Sequence, residues 1–337
     1  MTKLGMIGVG SISQIHLEGW QRLPVEIVGH YDLSSEAAQQ ASERYGGRAY
    51  ESMDALLADV DLVDICTPAV AHKECVLAAA AAGVPIICEK PLSRHLDDCS
   101  TMIEACEEAG VPLYIAHVVR FFPQFAKAKA VLDSGQLGKP GVIRTVRAGG
   151  FPRTGQSFYN DFERSGGVIL DVMIHDIDFV RWCFGEVERV FARGTTFTEA
   201  PHYDHVLATL RFANGAMGHI ESSWASPPGQ WRTRLEIAGD EGLMEWDAFD
   251  KDTVMLAMRD PEDEQGIQRS SHTPLAPEDN PYFAELAHFL DCLQNGTEPR
   301  VTAHDALMAV KISLAITESV KTGQPIEIAQ FDMEGQS

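Results

Sequence analysis

Leu4-Gly5-Met6-Ile7-Gly8-Val9-Gly10-Ser11-Ile12-Ser13 is an apolar run that breaks into a glycine turn and then into a helix-forming stretch. It matches G-x-G-x-x-G/A with serine in the last place. In that pattern Gly8 permits the tight turn, and Gly10 lets the backbone come close to a pyrophosphate. Ser13 is small enough for a helix to lie against a strand. Ser11 and Ile12 open the helix, where backbone N–H groups point at an anion. Glycine turns after strands are common, so the match gains weight only from the residues downstream of it.

A second compact apolar run covers 25–31 and ends on Asp32, about 20 residues past the glycines, where a carboxylate bonds a ribose diol. The competing reading of Asp32 is a residue of the helix start before Ser34. A carboxylate here repels a 2′-phosphate, and no arginine occupies the next three positions, so NAD is favoured over NADP. Further runs lie at 62–66, 84–88 and 113–116, with Ala-rich or amphipathic stretches at 35–45, 70–82 and 96–109 between them. Runs that are nearly all apolar suit strands covered on both faces. The βαβα order predicts an α/β protein whose N-terminal part is a doubly wound parallel sheet.

After Arg120 the pattern changes. A helix is expected over 123–134, closed by Gly135 and Gly138. Val206, Ala208, Leu210 and Phe212 alternate with Leu207, Thr209 and Arg211, and Asn214-Gly215 makes a tight hairpin. Trp231, Thr233, Leu235 and Ile237 alternate with Arg232, Arg234 and Glu236. Late helices are expected at 282–295 and 303–321, and 260–280 reads as a polar loop. The chain is expected to form a dinucleotide-binding domain over 1–120. An α+β domain with a mostly antiparallel open sheet is expected over 121–337, its last helices able to pack back on the first. The uncovered, mixed face of that sheet is expected to pair subunits into a homodimer or homotetramer.

With 337 residues and 45% hydrophobic content, a sizeable core is available. A net charge of −22 repels phosphate backbones and anionic headgroups, which argues against nucleic-acid and membrane roles. The seven cysteines are scattered without a C-x-x-C pair, as in a reduced, cytoplasmic protein. Met1-Thr2-Lys3 runs straight into the first strand with no charged-then-apolar leader. His202 and His205 lack the cysteine or carboxylate partners of a zinc site, so no metal is expected; a loop and a strand start suit them better.

Two further marks carry chemistry. Glu89-Lys90-Pro91 follows the run 84–88, so Lys90 stands past the C-terminal end of a parallel strand, where open sheets bind ligands. Pro91 keeps the residue before it out of helical conformation. The plainer reading of Lys90 is a surface lysine paired with Glu89. Asp171-x-x-x-His175-Asp176 places a carboxylate and an imidazole on one helical face, where the carboxylate can hold the ring's tautomer. The plainer readings are a helix-terminal charge for Asp171 and a core histidine for His175. Asp176 could point elsewhere, as a structural or substrate-contacting group. His16 could lie near a cofactor, cap the helix or sit in the core.

In these marks the chain resembles the Gfo/Idh/MocA family, the glucose–fructose oxidoreductase and inositol dehydrogenase group. The resemblance rests on Gly8-x-Gly10-x-x-Ser13-x-x-His16, Thr67-Pro68, Glu89-Lys90-Pro91 and Arg120-Phe121. It continues through Gly166-Gly167-x-x-x-Asp171-x-x-x-His175-Asp176, Asn214-Gly215 and Phe289 with Asn295-Gly296 and Pro299. Ser13 stands where the family usually has alanine. The resemblance implies a Rossmann domain, a second domain built on a sheet, and a nicotinamide cofactor. It implies oxidation or reduction of a small polyhydroxylated substrate: a sugar, a sugar derivative or a cyclitol. Thr67, Pro68, His72 and Glu89 then become cofactor neighbours. Lys90, Asp171 and His175 become the catalytic groups, with the proton-carrying role open between Lys90 and His175. Arg120 and Tyr159 are candidate substrate contacts. Relatives of two other kinds keep alternatives open: a regulatory protein that binds NAD and a sugar without turnover, and an NAD-dependent glycosidase.

Overall fold

The computed structural model describes residues 1–152, 156–198, 200–227, 229–249, 254–259, 267–272 and 280–331. The chain divides into two compact units, Met1–Phe121 with Asp279–Leu307, and Phe122–Glu278 with Met308–Ser337.

The first unit alternates β1 (Thr2–Ile7), α1 (Ser11–Trp20), β2 (Val25–Tyr31), α2 (Ser35–Tyr45), β3 (Arg48–Ala49), α3 (Met53–Leu57), β4 (Leu62–Ile65), α4 (His72–Ala81), β5 (Ile86–Glu89), α5 (Leu96–Ala109) and β6 (Leu113–Ala116). The six strands form one sheet in the order β3-β2-β1-β4-β5-β6, every pairing parallel. The doubly wound parallel sheet expected from the apolar runs is therefore present. Strand order reverses between β1 and β4, so the chain leaves these two neighbours in opposite directions. A crevice opens at their carboxyl ends, where ligands of such sheets bind. Leu4, Met6, Leu62, Val63, Ile86 and Ile87 are buried, as strands between two helical layers must be. The strand expected at 84–88 starts two residues later, because Val84 closes α4 by donating its N–H to Ala79 O, and it ends one residue later, at Glu89. Serines start two of the helices: Ser34 Oγ accepts from Ala37 N–H, and Ser52 Oγ from Ala55 N–H.

The second unit comprises α6 (Pro123–Asp133), β7 (Pro140–Gly149), α7 (Gln156–Tyr159), α8 (Phe162–Ser165), a π turn at Ile169–Met173, α9 (Ile174–Phe184), β8 (Val187–Thr195), β9 (His205–Phe212), β10 (Met217–Ser223), β11 (Trp231–Gly239), β12 (Gly242–Asp247), β13 (Val254–Arg259) and β14 (Ile267–His272). Its remaining elements come late in the chain, after α10 (Pro281–Asn295): α11 (Ala303–Thr322) and β15 (Ile326–Glu327). Nine strands order as β14-β13-β12-β11-β7-β10-β9-β8-β15. Only β7 and β10 run parallel, so the sheet is mostly antiparallel as expected. The alternation on β9 holds: Val206, Ala208, Leu210 and Phe212 are buried while Leu207 is exposed. Trp231 departs from the pattern. It is 51% exposed, because its ring lies over Gly149 on the neighbouring strand. The Asn214-Gly215 hairpin forms, with Gly215 at φ +87° and Asn214 Oδ1 accepting from Ala216 N–H. The stretch 260–280 is not all loop, since it contains β14; 260–266 and 273–279 lie outside the described residues.

Helix α10 belongs with the first unit. Leu286 and Phe283 face Gly19 of α1, Arg22 lies over the Phe283 ring at 4.0 Å, and Phe289 stacks on Tyr114 at 5.2 Å. Gly296 ends the helix at φ +64°. Among the described residues, no helix is long and apolar enough to cross a membrane.

Candidate functional site

The crevice at the end of β1 is a groove of about 370 Å³. It is lined by Gly8, Gly10, Asp32, Leu33, Met53, Thr67, Pro68, Ala71 and Glu74, among others. Gly8 has φ +84°, and a Cβ there would sit 2.8 Å from Thr67 N. Gly10 is different. Its backbone is extended, and a Cβ there would meet nothing within 4 Å. Its lack of a side chain therefore relieves no contact inside the protein. It leaves open the space a pyrophosphate would fill. The first turn of α1 has no side-chain cap and no acidic residue, so its N–H groups remain available to an anion. Ser13 is fully buried and donates its hydroxyl to Gly10 O at 2.7 Å, which holds the turn. Asp32 is bound to the same turn: Oδ2 accepts from Val9 N–H at 3.0 Å and Oδ1 from Ser34 N–H at 2.8 Å. The carboxylate orients the loop, as the helix-start reading has it, and it also lines the groove. The donors and the open face at Gly10 fit a dinucleotide.

The loops after β4 and β5 are tied together by His72. One ring nitrogen lies 2.9 Å from Thr67 O; the other lies 3.0 Å from Pro91 O and 3.2 Å from Leu92 O. His72, expected as a cofactor neighbour, thus holds the backbone of Thr67, which lines the groove; its side chain is fully buried, and burial lowers its pKa. Glu89 carries the same expectation. It is buried, with Oε1 facing His16 Nε2 at 3.1 Å and Oε2 accepting Lys90 N–H at 2.9 Å. The Lys90–Pro91 peptide is cis, and Lys90 is half-buried at the strand end.

In the second unit, residues 165–181 are buried at every position but two, Asp171 and His175. Asp171 lies in the π turn and His175 in the first turn of α9. These two half-buried polar groups, four residues apart, form the single open seam of an otherwise closed segment. π turns of this kind recur at functional sites. Tyr159 belongs with them: burial pushes its phenol up to about 12, and the Asp171 charge pushes the same way. The ring stands edge-on to Trp224, 5.7 Å between centroids.

Other expected groups are used up in packing. Arg120 is corrected from a substrate contact to a structural residue. It is 1% exposed, and its guanidinium donates to Arg300 O at 2.6 Å and to Asp305 at 3.2 Å. Asp176, which could have been structural or substrate-binding, is fully buried and takes Arg147 Nε at 2.7 Å and Nη2 at 3.3 Å. His202 bonds Asn160 O from a loop, and His205 starts β9. His16 is in the core. The sequence reading missed Met53, Ala71 and Glu74 as groove residues. Glu74 lies in the first turn of α4, and no motif marks it; only the fold brings that turn beside Asp32.

Residues 2–117 match the oxidoreductase family with an NAD-binding Rossmann fold, and residues 125–245 match the Gfo/Idh/MocA C-terminal domain. The chain is 32% identical to the myo-inositol 2-dehydrogenase of Thermotoga maritima, over 97% of this chain and 99% of that protein. It is 30% identical to the D-apiose dehydrogenase of Paraburkholderia graminis, over 98% and 91%. Among solved structures it resembles an oxidoreductase from Agrobacterium radiobacter in complex with NAD+, L-tartaric acid and magnesium. The TM-score is 0.87 at 28% identity, covering 97% and 98% of the two chains. The chain belongs to the Gfo/Idh/MocA family of oxidoreductases.

Proposed function

We propose that this chain is a dehydrogenase that uses NAD to oxidise a hydroxyl-bearing carbon of a sugar, sugar derivative or cyclitol, or runs that reaction in reverse. The observation that carries this reading is the open seam of Asp171 and His175 in a segment buried everywhere else. Gly8, Gly10 and the first turn of α1 would hold NAD, which would supply the hydride-accepting ring. His175 takes the hydroxyl proton, and Asp171 holds the imidazole in the tautomer that can accept it. Lys90 donates to the developing alkoxide. Tyr159, kept neutral by burial beside Asp171, is a hydroxyl donor toward the same substrate. A panel of polyols incubated with NAD, read by NADH absorbance, tests the reading. Formation of NADH with a cyclitol or sugar supports it; sugar release with no net NADH would point instead to a glycosidase.

Asp32 and Glu74 both line the groove, so NAD is preferred over NADP. The uncovered sheet face carries Phe191, Leu207 and Met217, each more than a third exposed, on β8 to β10, and Arg232 and Arg234 on β11. That combination supports pairing with a second copy of the chain, as a homodimer or homotetramer. A monomeric mass by light scattering at micromolar concentration would refute it. The seven free thiols, all but Cys183 buried, suit a cytoplasmic setting.

A further inference from the structure

We infer that His16 is a positioning residue that sets Lys90 through Glu89. The inference rests on the reading of Lys90 as a reactive group. His16 is carried by α1, the helix that follows the glycine turn, and is fully buried. Its Nδ1 lies 2.9 Å from Asp64 Oδ2 on β4, and its Nε2 lies 3.1 Å from Glu89 Oε1 at the end of β5. The other oxygen of Glu89 accepts the Lys90 N–H at 2.9 Å. One imidazole therefore spans two adjacent parallel strands and ends at the peptide that carries Lys90.

Two buried carboxylates on neighbouring strands are costly unless something binds both. Asp64 also accepts from Trp20 Nε1 at 2.7 Å, and the Cys66 thiol lies 3.5 Å from both Asp64 and His16. From α10, the Tyr282 ring lies 6.1 Å away between centroids. A neutral imidazole has one N–H and can serve one carboxylate. Facing two ionised carboxylates, the ring satisfies both only as the imidazolium. Burial alone works against that charge; the Asp64 carboxylate, 2.9 Å away, favours it through both its charge and its hydrogen bond, and the pKa of His16 is raised above 6.5, while burial pushes the Cys66 thiol up and keeps it neutral. The charged ring is a rigid two-donor spacer. It fixes the Glu89 carboxylate and, through it, the Glu89–Lys90 peptide relative to α1, whose first turn faces the groove. Glutamine or asparagine could reach one carboxylate but would set a carbonyl oxygen against the other.

The test reads Lys90 directly. Reductive methylation with carbon-13 formaldehyde makes lysine amines visible by NMR, and the Lys90 signal is the one lost in Lys90→Arg. In a folded His16→Gln protein, judged by circular dichroism, that signal should move in chemical shift and in titration midpoint. Turnover of an active polyol should fall by about tenfold to a hundredfold, the scale of a small misplacement of a reacting group. The effect should fall on kcat, with KM for the polyol little changed. Asp64→Asn, which changes the far side of the ring and does not touch Lys90, should shift the same signal and decides the matter if His16→Gln does not fold. A moved Lys90 signal in a protein that oxidises no polyol would support the positioning role and refute the dehydrogenase reading. An unmoved Lys90 signal in either folded variant, or loss of fold in both, would overturn the inference and leave the bridge purely structural.

Discussion

Replacing Asp176 by alanine separates structure from chemistry at the reactive helix. The carboxylate is fully buried and takes two hydrogen bonds from Arg147, at 2.7 and 3.3 Å, and the arginine side chain is 8% exposed. Arg147 lies on β7, so the pair pins the first turn of α9 to the sheet. In Asp176→Ala the guanidinium stays buried with its carboxylate gone. Breaking one side of a buried pair costs about 3–5 kcal/mol. At roughly 2–4 °C per kcal/mol for a unit of this size, the second unit should melt on the order of 10 °C lower. Scanning calorimetry reads this. A double variant, Arg147→Met with Asp176→Leu, removes both charges together and should recover most of the lost stability. If Asp176→Ala melts with the parent protein while turnover disappears, Asp176 touches substrate and its structural assignment is wrong.

Three further outcomes are expected. His175→Ala should slow turnover by about 10²–10⁴-fold with NAD affinity little changed, and Asp171→Asn should cost less; near-normal turnover by the folded alanine variant would shift the proton to Lys90. Asp32→Ala should narrow the preference for NAD over NADP, and tighter NADP binding by the unaltered protein, measured by calorimetry, would refute the assignment. Stability should bend down on both sides of about pH 6.5. Burial lowers the pKa of His30, His72 and His288, so their contribution is full above 6.5 and lost as pH falls through the native values; His16 is raised, so its contribution is full below 6.5 and lost as pH rises through its native value. His16→Gln should remove the alkaline part of that bend, and an unchanged melting-temperature profile across neutral pH would contradict a charged His16.

The sheet of the first unit was legible because its signals are local. Runs of apolar residues, a glycine turn and an acidic residue at the end of the next strand all fall within about 30 positions. The two-residue β3 and the five-residue α3 were not legible, since elements that short carry no period. β14 was missed for a different reason: after Ile267 its residues, through His272, are all polar, and the edge of a sheet tolerates them.

The sequence by itself determined the fold class, the glycine turn after β1 and the four-residue spacing of Asp171 and His175, because each depends on residue types at short, fixed spacing. It could not show which polar groups are free to act. Arg120 looked like a ligand until Arg300, 180 positions away, took its guanidinium. Glu89 looked like a cofactor neighbour until His16, 73 positions away, faced its carboxylate. Only the tertiary structure decides such cases, because a buried charge must find a partner, and its partners come from whichever distant elements the packing of the core brings beside it.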